Sequence, residues 1–109
     1  MGVILKREGA DSLVAASVKY CNADILLVYR LTSRPSPEEE RLIGDGAVYS
    51  LHITKVYNGG RCRKRAELID IARCEEEGKR IFKIMSRARV LPENANEIAE
   101  DLIGAFDAF

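Results

Sequence analysis

Few side chains in this 109-residue chain are of a type that does chemistry, and their spacing narrows what that chemistry can be. There is one histidine, His52, and there are three cysteines, Cys21, Cys62 and Cys74. A nucleophile needs a base, and the base needs a third group to orient it. No Gly-x-Ser-x-Gly elbow, P-loop or dinucleotide fingerprint supplies such a frame. Zinc requires Cys or His at short paired spacings, and none occurs. The expectations are no catalytic residue, no metal and no cofactor. His52 is expected to be exposed and structurally neutral, and at least two cysteines to be buried as small hydrophobes.

The other chemically suggestive group is basic. The run Arg61-Cys62-Arg63-Lys64-Arg65 follows Asn58-Gly59-Gly60, a turn signal between two β-rich runs. Asn58-Gly59 as a two-residue turn sets Ile53 opposite Lys64 and Leu51 opposite Ala66. Gly59-Gly60 shifts the pairing but leaves the same residues on each face. One face then holds Tyr49, Leu51, Ile53, Ala66 and Leu68, and the other holds Ser50, His52, Thr54, Arg63, Arg65 and Glu67. Core on one side and water on the other is the pattern of an antiparallel sheet covered on a single face. Ile69 and Ile71 fall out of phase, which predicts a bulge or a covered sheet end.

Arg63, Arg65 and His52, with Arg30 if its strand is adjacent, therefore form a candidate nucleic-acid face whose phosphate contacts would be salt-sensitive. Against that reading, sheet-face readers of single strands stack bases on aromatics. Tyr29, Tyr49 and Tyr57 share the inward parity instead. The same outer parity collects Leu26, Val28, Val48 and Val56, a candidate interaction face for a protein partner or a second copy.

The remaining elements follow from pattern. Ile25–Leu31 is the strongest strand signal, and Leu13–Tyr20 before it predicts a first hairpin, with a helix over 11–20 as the competing reading. Ser33 to Glu40 holds two prolines and an acidic run, so residues 33–46 are expected to be a mobile connection. Residues 1–11 carry no pattern that demands order. Glu75–Arg89 predicts a helix with Ile81, Phe82, Ile84, Met85 and Ala88 on one stripe. Gly78 costs about 1 kcal/mol relative to Ala in its first turns. Pro92 separates it from a second helix striped by Ala95, Ile98, Ala99, Leu102, Ile103 and Phe106, with Gly104 as its expected end.

Strands first and helices last predict an α+β domain spanning 1–109, a three- to four-stranded antiparallel meander covered on one face by two C-terminal helices. Seventeen Lys and Arg balance seventeen Asp and Glu, so any electrostatic attraction must be local. Unpaired cysteines and the lack of a long apolar run lead to the expectation of a cytoplasmic protein that does not enter membranes.

Tyr49-Ser50-Leu51-His52-Ile53, Ala66-Glu67-Leu68-Ile69-Asp70-Ile71, Arg89-Val90-Leu91-Pro92 and Ile98-Ala99-Glu100-Asp101-Leu102-Ile103 occur here in that order. This arrangement resembles a family of small proteins of clostridia-like Firmicutes known as a domain of unknown function, over residues 25–104. Leu91 departs from the helix-capping Thr or Ser expected there, and the 33–46 loop is unusual. The resemblance implies a one-domain cytoplasmic protein and brings no activity or site with it. The sequence thus points to a non-enzymatic binding or regulatory module acting through protein contacts, with a second copy of the chain among its expected partners. An RNA or single-stranded DNA binder using Arg30, His52, Arg63 and Arg65 is the alternative.

Overall fold

A computed structural model describes residues 13–36 and 46–107. The expectations for residues 1–11 and for the loop between 37 and 45 lie outside the described residues. Four strands, β1 (Leu13–Cys21), β2 (Ile25–Pro35), β3 (Ala47–Tyr57) and β4 (Cys62–Ala72), are followed by helix α1 (Glu75–Arg87), a 3-10 turn (Pro92–Asn94) and helix α2 (Ala95–Asp107). The strands form one antiparallel meander in the order β1-β2-β3-β4, and both helices pack against its inner face, as the strand-then-helix order predicts.

The first hairpin forms, and the helix alternative over 11–20 does not. Its turn is closed by the Asn22 side chain, whose Oδ1 accepts from the backbone N–H groups of Asp24 and Ile25 at 2.9 Å each, a local bond that favours asparagine in turns. β2 runs on through Ser33, Arg34 and Pro35, where the prolines suggested a loop. The reason lies in the pairing. β1 reaches β2 only as far as Leu13↔Ser33, whereas β3 stays paired with β2 to Pro35↔Ala47. Beyond Ser33 no described residue pairs with β2 on its β1 side, and an unpaired side of a strand is the place in a sheet that tolerates proline.

In the second hairpin, Tyr57 pairs with Cys62, Ile53 with Ala66 and Leu51 with Leu68. This is the Gly59-Gly60 register, and the Asn58-Gly59 register is two residues out. Asn58, Gly59 and Gly60 all have positive φ (57°, 66° and 86°). Two successive turn bonds, Gly60 N–H to the Tyr57 carbonyl and Arg61 N–H to the Asn58 carbonyl, use both dipeptides. Because a shift of two residues preserves parity, each face keeps the residues assigned to it. The bulge also appears. Register breaks between Tyr49 and Leu51, Asp70 takes φ 55°, and its N–H donates to the Ser50 hydroxyl at 2.9 Å.

The inner face is the core. Tyr29, Leu31, Leu51 and Ile53 are fully buried there, beneath Ile81 and Met85 of α1, while Ala95 and Ala99 of α2 pack towards β4. The α1 face in contact is Gly78, Ile81, Phe82, Met85 and Ser86; Ile84 is 39% exposed, and Ala88 is the exposed C-cap. These two lie off the edge and past the end of the i, i+3, i+4, i+7 stripe. Gly78 has a packing reason: a Cβ there would sit 3.2 Å from Cβ and Cγ of Tyr49, so glycine lets the helix approach the sheet. α2 continues to Asp107, and Gly104 does not end it.

Two contacts fasten the helical layer to the sheet. The Tyr29 hydroxyl donates to the Val90 carbonyl at 2.8 Å, just after α1 ends. That end is a Schellman motif, with Val90 N–H bonded to the Met85 carbonyl and Arg89 N–H to that of Ser86. Arg89 occupies the left-handed position (φ 54°) that glycine usually fills, at a cost of roughly 1–2 kcal/mol. Its guanidinium lies 3.6 Å over the Tyr20 ring, which packs edge-on against Tyr29. On the β3–β4 side of the same cross-strand row as Tyr20, Glu93 of the 3-10 turn pairs with Lys55 at 2.6 Å and with Lys64 at 3.5 Å. Lys64 therefore projects to the helix side, as its parity predicts.

Burial pushes the Tyr29 phenol up to about 12. Tyr29→Phe should cost about 0.5–1.5 kcal/mol in urea unfolding through the lost bond to Val90. Its contribution is complete below the unfolded phenol value of 10 and is lost as pH rises through about 12; the Phe variant should lack that part of the alkaline decline. The hydrogen bond from Lys55 holds the Glu93 carboxyl down at about 2. The stabilisation from this carboxylate is thus complete above pH 4.5 and fades as pH falls towards 2. Glu93→Gln should flatten acid unfolding in that window relative to the parent protein.

Candidate functional site

With both helices on the inner face, the opposite face of the sheet has no helix over it among the described residues. Register lays its side chains out in rows. Cys21, Leu26, Val56 and Arg63 cross the sheet at the turn end; Lys19, Val28, Thr54 and Arg65 form the next row; Ser17, Arg30, His52 and Glu67 form the third. All four residues singled out as candidate nucleic-acid contacts, Arg30, His52, Arg63 and Arg65, thus meet. Together with Val28 and Thr54 they line one shallow cavity of about 190 Å³, below the roughly 300–1,000 Å³ of small-molecule sites. It has room for one group of a larger ligand.

The face is electropositive. Lys19, Arg30, Arg34, Arg63 and Arg65 stand against the carboxylates of Glu67 and Asp70, five cations against two anions. Both anions are engaged. Glu67 bonds His52, and Asp70 bonds Arg34 at 2.6 Å. Arg63 and Arg65 are exposed and make no ion pair among the described residues. A chain of zero formal net charge therefore carries a local basic field.

Three of the four apolar candidates also meet. Leu26 pairs with Val56, and Val28 lies in the next row; all three are half-buried, and Val28 lines the cavity. Val48 is a correction, since it is 3% exposed and cannot serve as an interaction surface. It sits at the opposite end, opposite Arg34 on β2. The Arg34–Asp70 ion pair joins β2 to β4 and so passes over β3 at Val48 and Ser50, closing that end of the face.

His52 is not the exposed neutral residue expected. Its side chain is 14% exposed, with Nδ1 3.2 Å from the Glu67 carboxylate and Nε2 2.9 Å from the Thr32 hydroxyl. In the tautomer with the proton on Nδ1, the ring donates to Glu67 and accepts from Thr32. Carboxylate, imidazole and hydroxyl in line form the orienter–base–nucleophile order. Thr32, however, is only 4% exposed, so its hydroxyl is withheld from any substrate, and the array serves as a polar ladder across β2, β3 and β4. Thr32 escapes a single-strand reading because it meets His52 diagonally, across a register known only once the strands are paired.

The cysteines are a further correction: Cys21 is exposed, and Cys62 and Cys74 are half-buried. Each stands at the end of an element, where the core does not reach. No group of three metal-ligating side chains occurs among the described residues, nor is any helix among them long and apolar enough to cross a membrane. No protein-family model matches the chain, and no curated protein or solved structure is significantly similar to it.

Thr32→Val should cost about 1 kcal/mol in urea unfolding, because it leaves the His52 ring without its buried partner. Loss of the ladder should also broaden or shift the imidazole resonances of His52, as proton NMR would show.

Proposed function

We propose that this protein is a non-enzymatic binding module whose uncovered sheet face receives an acidic surface of a protein partner. The observation that carries the reading is the juxtaposition of Arg30, Arg63 and Arg65 around a shallow cavity, flanked by Leu26, Val28 and Val56. Apolar side chains beside exposed arginines are components of a protein interface. The arginines would steer an acidic partner and fix its register.

The same charge selects among protein partners. Symmetric packing of two copies through this face would set five cations against five across a desolvated interface, an arrangement that costs several kcal/mol per like-charge contact. A second copy is accordingly disfavoured as the occupant, and the protein alone should scatter light as a monomer. The resemblance to the domain of unknown function adds no activity to this reading.

A nucleic-acid partner is the second reading, favoured by the convergence of Arg30, His52, Arg63 and Arg65. Two features weigh against it. No aromatic side chain stands on this face among the described residues, and His52 has both ring nitrogens engaged.

A photo-crosslinking residue placed at Val56 should trap a discrete protein in the native cell, and one at Glu76 on α1 should not. Affinity of that purified partner should fall at least tenfold in the Arg63→Glu/Arg65→Glu variant. A partner indifferent to the double reversal would overturn the reading. Steeply salt-dependent binding to oligothymidylate, abolished by the same reversal, would decide for nucleic acid.

A further inference from the structure

A second and larger cavity than that on the sheet face lies elsewhere. Where the β1–β2 turn meets the link between α1 and the 3-10 turn, about 540 Å³ opens between Tyr20, Ile25, Leu27, Leu91, Lys19 and Arg89. Its size is that of a small-molecule site, and its composition matches one, a mainly apolar wall with few convergent polar groups. Among the described residues, the charged ones that line it, Lys19 and Arg89, are both cationic.

Arg89 is the informative residue. It holds a left-handed backbone (φ 54°) at a helix end where glycine would be free of strain. Strain of this kind persists where surrounding structure over-determines it, and it clusters at ligand clamps. Here the surrounding structure is the Tyr20 ring, which holds the guanidinium plane at 3.6 Å. One N–H of Arg89 goes to the Arg87 carbonyl at 3.3 Å, and no carboxylate pairs with the side chain among the described residues. A stacked guanidinium keeps its donor edge, a planar fork that matches a carboxylate. Ile25, Leu27 and Leu91 supply the apolar surface for whatever that carboxylate is attached to.

We propose that this cavity binds a small monocarboxylate with an apolar chain or ring, its carboxylate on Arg89 with Lys19 nearby and its body against Ile25, Leu27 and Leu91. The site is separate from the sheet face of the binding module and stands or falls independently of it.

Amide-resolved NMR titration with sodium hexanoate tests the assignment, with 1-hexanol and hexylammonium as probes of matched body. Hexanoate should give saturable shifts at Tyr20 to Ile25 and at Val90 and Leu91, with Kd on the order of millimolar for so small a ligand. The alcohol and the amine should bind at least tenfold more weakly. Arg89→Gly keeps a residue suited to the left-handed turn and should weaken hexanoate at least tenfold, with the rest of the spectrum unchanged. The Arg63→Glu/Arg65→Glu variant should bind hexanoate as the parent does. Equal binding of the three probes, shifts scattered over the surface, or no saturable shift would overturn the proposal; the probe comparison on the parent protein decides even if the Arg89 variant fails to fold.

Discussion

The bond from the Tyr29 hydroxyl to the Val90 carbonyl governs how this fold is assembled. Tyr29 lies at the centre of the inner sheet face with no exposed surface, and its phenol must find a partner there because an unbonded buried hydroxyl costs about 1–3 kcal/mol. The partner it finds is the chain just past α1. That choice sets where the helix ends, brings Arg89 over Tyr20, and leaves Pro92 to begin the turn that carries Glu93 to Lys55 and Lys64. One dry side of the sheet follows from this, and so does one wet side.

Among the described residues one helical layer covers the sheet, and side chains alone lie on its other face. At one end the face is closed by the Arg34–Asp70 ion pair above Val48. In the middle, Thr32, His52 and Glu67 satisfy one another across three strands. At the turn end, nothing comparable ties down Arg63 and Arg65 among the described residues, and Leu26, Val28 and Val56 lie between them and β1. The gradient from closed and self-satisfied to open and charged is what makes that end the binding surface in the proposed function.

Period-two alternation made much of this legible. Leu51, Ile53, Ala66 and Leu68 inside, with His52, Arg63, Arg65 and Glu67 outside, needed only strand parity, and parity survives a two-residue error in register. The bulge was readable from Ile69 and Ile71 going out of phase. Properties that depend on where strands stop were not readable. Pro35 extends a central strand where the described part of β1 does not reach it, and the cysteines miss the core because each falls at an element end. Val48 was hidden as well, since its parity places it on the outer face and only the folded structure shows it buried. Arg89 carried no sequence signal of its importance; its place in a Schellman turn and its stacking partner 69 residues earlier exist only in three dimensions.

An open, anion-attracting sheet face on a chain of zero formal net charge can be measured directly on the isolated protein, by paramagnetic relaxation with soluble nitroxides of opposite charge. The anionic nitroxide should relax protons of Val28, Thr54, Arg63 and Arg65 more strongly than the cationic one does, with the excess fading as salt screens the face. Equal relaxation by the two probes, or stronger relaxation by the cationic one, would contradict it.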